Sequence, residues 1–267
     1  MAAGTIDEII AELESIIREC IIANSRLGYF AALYNRVTLA IRDAVGEKQF
    51  DDNERMARLD VVFAGRYIDA YRQYKSGGTP TKSWLKAFRA AEGDGYIVLQ
   101  HLFAGMNAHI NLDLGIAAAT VAPGAELAGL RADFDRINDI LASLTPTVEG
   151  QLGNTSWEMN LLTSLAPGVE RSMLGFGMTE ARSVAWMLAR ELSALPQAAQ
   201  QAHIALRDEE ASLLADAILL DDFIVQELRR SENNTVADTI QLLCAGEFRT
   251  SPPLPAPGVP APESGGI

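Results

Sequence analysis

Apolar residues recur at spacings of three and four through most of the chain, as expected for helices that each bury one face. Ile6, Ile9, Ile10, Leu13, Ile16, Ile17, Cys20 and Ile21 predict a first helix over 5–22, with Thr5 and Glu8 placed as a capping box. A second is predicted over 26–45, with Phe30, Leu33, Tyr34, Val37, Ala40, Ile41 and Ala44 turned inward and Gly46 at its end. Asp51, Asp52 and Asn53 cap a third, which runs to about residue 74 and stops at Ser76, Gly77 and Gly78. A short helix with Trp84 and Phe88 follows Thr79, Pro80 and Thr81, and Glu92 to Gly95 reads as a turn.

The segment 96–121 is apolar on every side, which predicts the buried centre of a bundle. Further helices are expected over 125–144, 179–195, from Pro196 to about 230, and over 235–244. Between them, Pro146, Gly150, Gly153, Pro167, Gly168, Gly175 and Gly177 predict short helices and loops, suited to the rim or lid of a pocket. The sequence shows no sustained strand alternation, hairpin pair or internal repeat. The expected fold is all-α: a single-domain, multi-helix bundle over 1–248 with a buried central helix at about 96–121. Residues 249–267 are rich in Pro, Ala and Gly, cannot build a core, and are expected to be disordered.

Charge narrows the partners. A net charge of −13 and a pI near 4.7 argue against nucleic acid and anionic membrane surfaces. The longest stretch without Lys, Arg, Asp or Glu, 95–112, carries His101, Asn107, His109 and Asn111, a poor load for a membrane span. The opening residues have no basic region and carry acids early, so a secretory signal is not expected. Cys20 and Cys244 have no CxxC partner and read as buried thiols of a reducing compartment, with a disulfide between them left open. The expectation is a cytoplasmic protein with a small-molecule partner. Its oligomeric state is open, a homodimer being one option.

The candidate chemistry lies in the central helix. His109 and Asp113 are four apart and share a face, with His101 and Gly105 preceding them on roughly the same side; Asn107 and Asn111 point to nearly the opposite side. Each buried polar group left without a partner costs on the order of 1–3 kcal/mol, so such a helix requires a polar network. Asp113 would fix the tautomer of His109 and leave its other nitrogen as general acid or base. Alternatively the pair supplies two metal ligands, with Asp60 as a third, or simply cross-links helices. The metal reading is the weaker one. The chain has three histidines, of which His203 reads as surface, and it has no His-Glu-x-x-His. Asp60, Arg66, Asn138 and Arg182 also fall on apolar faces. Singly each has a bland explanation, such as a snorkelling arginine or an edge asparagine; together they would line one polar pocket. Phosphate-loop, dinucleotide and Gly-x-Ser-x-Gly motifs are absent, so no nucleotide cofactor or ordinary serine hydrolase is expected.

Several of these segments resemble domain-of-unknown-function family 5995, a bacterial and fungal family. The likeness runs from Tyr29-Phe30 through Asn35-Arg36-Val37, and through Leu59-Asp60 to Phe63-Ala64 with Tyr67. Its most specific part is Gly105-Met106-Asn107-Ala108-His109-Ile110-Asn111-Leu112-Asp113-Leu114, followed by Ile137-Asn138 and Ala181-Arg182 with Trp186. It covers roughly 25–195 and departs from the expected pattern at Val37, where a second aromatic would stand. The resemblance implies that Arg36, Asp60, Tyr67, Asn107, His109, Asn111, Asp113, Asn138, Arg182 and Trp186 are signature positions, and it brings no activity with it. A looser likeness to helical zinc phospholipases and nucleases stops at the fold, because their Gly-Asp-x-x-Gln-Pro-x-His run has no counterpart here.

The expectation is therefore an enzyme without a cofactor that hydrolyses, eliminates from or cyclises a fairly apolar substrate. His109, Asp113, Asn107, Asn111 and Arg182 would do the chemistry. Arg36, Asp60, Phe63, Arg66, Tyr67, His101, Asn138 and Trp186 would hold the substrate. The rivals are a metal-dependent hydrolase using His109, Asp113 and Asp60, and a non-catalytic binding or scaffold protein.

Overall fold

A computed structural model describes residues 3–151, 178–221, 223–232 and 234–244, and every regular element among them is helical. The first and third helices each open at a side-chain cap. Thr5 Oγ1 accepts from the Glu8 amide at 3.2 Å and opens α1, Ile6–Ile22. After α2, Gly28–Gly46, Asp52 accepts from the Arg55 amide at 2.9 Å and opens α3, Asn53–Lys75.

The start of α4, Lys82–Glu92, is capped from a distance. Its own Thr81 makes no capping bond. Asp208, from the later helix α9, Gln197–Ile218, accepts from the amides of Lys82 (2.7 Å) and Ser83 (3.0 Å) and from the Ser83 hydroxyl (2.7 Å).

The predicted central helix is continuous but not uniform. It comprises α5, Val98–Ala108, a π-helical turn, His109–Leu114, and α6, Gly115–Val121. Then follow α7, Leu127–Gln151, and α8, Met178–Ala194. Contrary to expectation, α7 does not end near 144; it carries Pro146 inside it, at the cost of one backbone bond.

The single helix expected from Pro196 to about 230 is two, α9 and α10, Phe223–Ser231. The break has a tertiary cause. Gln100 of α5, fully buried, donates to the carbonyls of Ile218 (3.0 Å) and Leu220 (2.9 Å), satisfying the orphan acceptors where α9 ends. The last helix, α11, spans Val236–Leu243 and is capped by Thr235.

The helices bury two main apolar clusters. One, with Leu13, Ile17, Tyr67, Trp84 and Leu102, joins α1 to α5 and α11. The other, with Ile41, Leu59, Leu114, Phe134 and Ala185, joins α2, α3, α6, α7 and α8. Helix α2 belongs to both and carries Phe30 and Tyr34, two of the rings around His109. Cys20 and Cys244 are both buried free thiols, so the disulfide left open above is not formed. No helix among the described residues is long and apolar enough to cross a membrane. The segment 152–177, most of the region expected to cover a pocket, and the Pro-rich segment 249–267 lie outside the described residues.

Candidate functional site

The π-helical turn sits where the sequence is most unusual, at His109–Leu114. Such turns widen one loop of a helix and are common at functional sites. One turn earlier, Gly105 lets α5 and α2 approach closely: a Cβ there would lie 2.5 Å from Phe30 Cδ2. The glycine thus admits the Phe30 ring, which meets His109 edge-on at 5.6 Å between centroids.

His109 is enclosed by aromatic rings. Phe63 stacks on it at 3.6 Å with planes 7° apart, and Tyr34 meets it edge-on at 4.4 Å. Trp84 and Tyr67 lie further out, at 5.9 and 6.3 Å. Burial lowers the His109 pKa, an effect that neighbouring Asp113 partly offsets, so the ring is neutral at ordinary pH. Nδ1 stands 3.5 Å from Asp113 Oδ2, too far for a good hydrogen bond, and neither ring nitrogen has a partner.

Asp113, by contrast, is fully engaged. Its Oδ1 accepts from Arg66 Nε at 2.6 Å, and its Oδ2 accepts from the indole N–H of Trp84 at 2.7 Å. Burial alone would raise its pKa; Arg66, His109 and Trp84 together hold it below the usual carboxylate value. This buried carboxylate is ionised and fastens α3 and α4 to the π turn.

Beside His109 lies a largely apolar cavity of about 80 Å³, room for a few waters or part of a small molecule. Four polar residues reach its wall: His109, Asp60 and Tyr34, and Arg182 from α8. Asp60 Oδ2 and the Tyr34 hydroxyl are buried without a hydrogen-bond partner. Burial pushes the Asp60 carboxyl up to about 7 and the Tyr34 phenol well above its usual value. Arg182 donates through Nη2 to the Phe134 carbonyl and lies over that ring at 4.3 Å, while its Nε has no partner.

Of the residues expected to form the site, the structure brings His109, Asp113, Asp60, Phe63, Arg66 and Arg182 to or next to this cavity. Asn107 and Asn111 lie elsewhere. Asn111 donates to Asn107 Oδ1 at 3.0 Å, and Asn107 donates to the Ala211 carbonyl at 2.7 Å, so the pair ties the central helix to α9. Trp186 packs on Phe134 and Arg131 at a separate surface groove. Tyr67 is buried among Phe30, Trp84 and Phe88, behind the cavity wall. His101, two turns before His109, contacts Tyr29 and Tyr96, and burial lowers its pKa to about 4. Arg36 is buried on α2 and its charge acts on the Cys244 thiol of the C-terminal helix. Asn138 has a buried, unpartnered Oδ1 but does not line the cavity.

Two site residues escaped the sequence reading. Tyr34 was visible only as a core position, and Trp84 as an apolar anchor. The signal for Trp84 was its indole N–H, which needs an acceptor when buried.

Residues 6–221 match the family of unknown function DUF5995. The chain belongs to that family. The match reaches beyond the resemblance over 25–195, taking in α1 and all of α9, so the DUF5995 region includes the helix that caps α4 and anchors Asn107. Neither a curated protein nor a solved structure matches the chain.

Proposed function

We propose that this DUF5995 protein is an enzyme that performs acid–base chemistry on a small, fairly apolar organic molecule bound beside His109. One observation carries the reading: Asp60, Tyr34, His109 and Arg182 all line one apolar cavity, and each presents a buried polar atom with no partner. Buried polar groups are normally satisfied, and convergent exceptions in a cavity are what a bound molecule completes.

The groups divide naturally. Asp113 faces Nδ1 of His109 and favours the tautomer that carries its proton there, leaving Nε2 as the acceptor. Asp60, titrating near 7, is available as both acid and base at neutral pH. The Tyr34 hydroxyl and Arg182 Nε donate to charge that develops on the reacting molecule. Hydrolysis, elimination and cyclisation all fit these roles.

The donor set does not suit a metal. Both oxygens of Asp113 are already held by Arg66 and Trp84, and among the described residues no three His, Cys, Asp or Glu side chains converge. The experiment is to incubate the purified protein with a complex small-molecule extract and follow consumption by mass spectrometry, alongside Asp60→Asn and His109→Gln. Metabolites consumed by the wild type and spared by both folded variants support the proposal. Binding without consumption, or consumption indifferent to both substitutions, overturns it.

A further inference from the structure

We infer that the molecule bound in this cavity carries a carboxylate on an apolar body, with Arg182 as its anchor; the inference rests on the reading of the cavity as a ligand site. Arg182 is 4% exposed, yet no acidic side chain among the described residues forms an ion pair with it. Among the described residues it donates to the Phe134 carbonyl and lies over the Phe134 ring, and its Nε is unpartnered.

Other buried charges here are handled differently. Asp113 has Arg66, and Asp133 has Arg55 and Arg136 as well as two backbone amides. A guanidinium withdrawn from water without a paired anion is unfavourable; the charge of Asp135 acts on Arg182 from a distance, but that carboxylate is paired with Arg131 at 2.6 Å. Burial depresses the Arg182 pKa to about 10, which still leaves the group charged at neutral pH. The missing anion therefore belongs to the ligand.

The cavity defines what kind of anion. A guanidinium edge pairs naturally with two oxygens of a planar carboxylate. A phosphate would bring a second charge and further acceptor oxygens, for which the lining offers no second cation. Leu33, Ile41, Met56, Leu59 and Leu114 with the rings of Phe30 and Phe63 make most of the remaining wall apolar, so an apolar body fits behind the carboxylate.

The test is calorimetric titration of the wild-type protein with octanoate and with 1-octanol, its uncharged match, repeated with Arg182→Gln and Arg182→Lys. Octanoate is expected to bind the wild type at least tenfold more tightly than octanol. Arg182→Gln should abolish that preference while leaving octanol within threefold, and Arg182→Lys should restore part of it. Equal binding of the two probes to the wild type overturns the carboxylate assignment and leaves the cavity as a ligand site. Binding of neither probe overturns the assignment of an apolar carboxylate to this cavity, while the consumption assay above decides the ligand site itself. The comparison on the wild type stands even if a variant fails to fold.

Discussion

Arg66 reaches from α3 to place its Nε 2.6 Å from Asp113 Oδ1 on the π turn, but the two side chains differ sharply in exposure, 30% against 1%. That asymmetry decides which half of the pair matters more. Without Asp113 the arginine can turn toward water. Without Arg66 the carboxylate remains buried and charged, with the Trp84 indole N–H as its hydrogen-bond donor and a neutral imidazole 3.5 Å away.

Arg66→Met is therefore expected to cost about 3 kcal/mol, the size usual for stranding a buried ion. Asp113→Asn should cost on the order of 1–2 kcal/mol, because an amide keeps an acceptor for Trp84. The pH dependence has a definite sign. The folded pKa of Asp113 is depressed, so its contribution is complete above the ordinary carboxylate value of 3.8 and is lost as pH falls through the lower folded value. Arg66→Met should accordingly move acid unfolding to higher pH. Urea titrations followed by circular dichroism measure both effects; equal losses in the two variants would contradict the buried-charge argument.

Asp60 behaves in the opposite sense. Burial raises its carboxyl from 3.8 to about 7, so between those values the folded protein holds a proton that the unfolded chain has released. Stability from this group is greatest below about pH 4 and declines until about pH 7, above which it is constant. Asp60→Asn removes the titration while keeping the shape. The variant is expected to gain on the wild type by a few kcal/mol between pH 5 and pH 8. A difference in unfolding free energy that does not change over that range would mean the carboxyl titrates normally and is not poised for catalysis.

Much of this was legible in the sequence because helix periodicity and buried polar groups are local signals. The run from Gly105 to Leu114 announced both the central helix and the His109–Asp113 pair. The rest depended on partners distant along the chain. Nothing near Thr81 shows that Asp208 caps α4, and nothing near Ile218 shows that Gln100 ends α9. The polarity of Asn107 and Asn111 is visible in the sequence and places them with the expected chemistry; the Ala211 carbonyl that Asn107 serves is not visible there. The π turn likewise has no signature in hydrophobic spacing, since one wider turn hardly disturbs the pattern.

The distant cap is directly testable. Asp208 is buried and accepts two amides and a hydroxyl from the first turn of α4. Asp208→Ala leaves those donors unsatisfied and is expected to cost about 2 kcal/mol. Hydrogen exchange at Lys82 and Ser83 should accelerate before exchange elsewhere in the protein. Trp84, the Asp113 donor, follows them in the same turn, so a frayed α4 start should also disturb the site. Unchanged protection at Ser83 would show that α4 needs no cap from α9.

Gly105 sets two effects of known size against each other. In an open helix, Gly105→Ala would stabilise by about 1 kcal/mol through backbone entropy and propensity. Here the new methyl would stand 2.5, 2.6 and 3.0 Å from Phe30 Cδ2, Cγ and Cβ. Phe30 cannot simply yield, because Tyr67, Trp84 and Tyr34 pack around it at 5.0, 5.4 and 5.7 Å. Overpacking of this kind costs roughly 1–3 kcal/mol, so the net expectation is a loss of about 1 kcal/mol. In the Phe30→Ala background the Cδ2 and Cγ contacts are gone and only the Cβ at 3.0 Å remains, so the same alanine should cost little or turn neutral. A double-mutant cycle with a coupling of about 1 kcal/mol or more would place the clash at this contact. If Gly105→Ala instead stabilises the wild type, Phe30 is free to move, and the cage around His109 is looser than acid–base positioning requires.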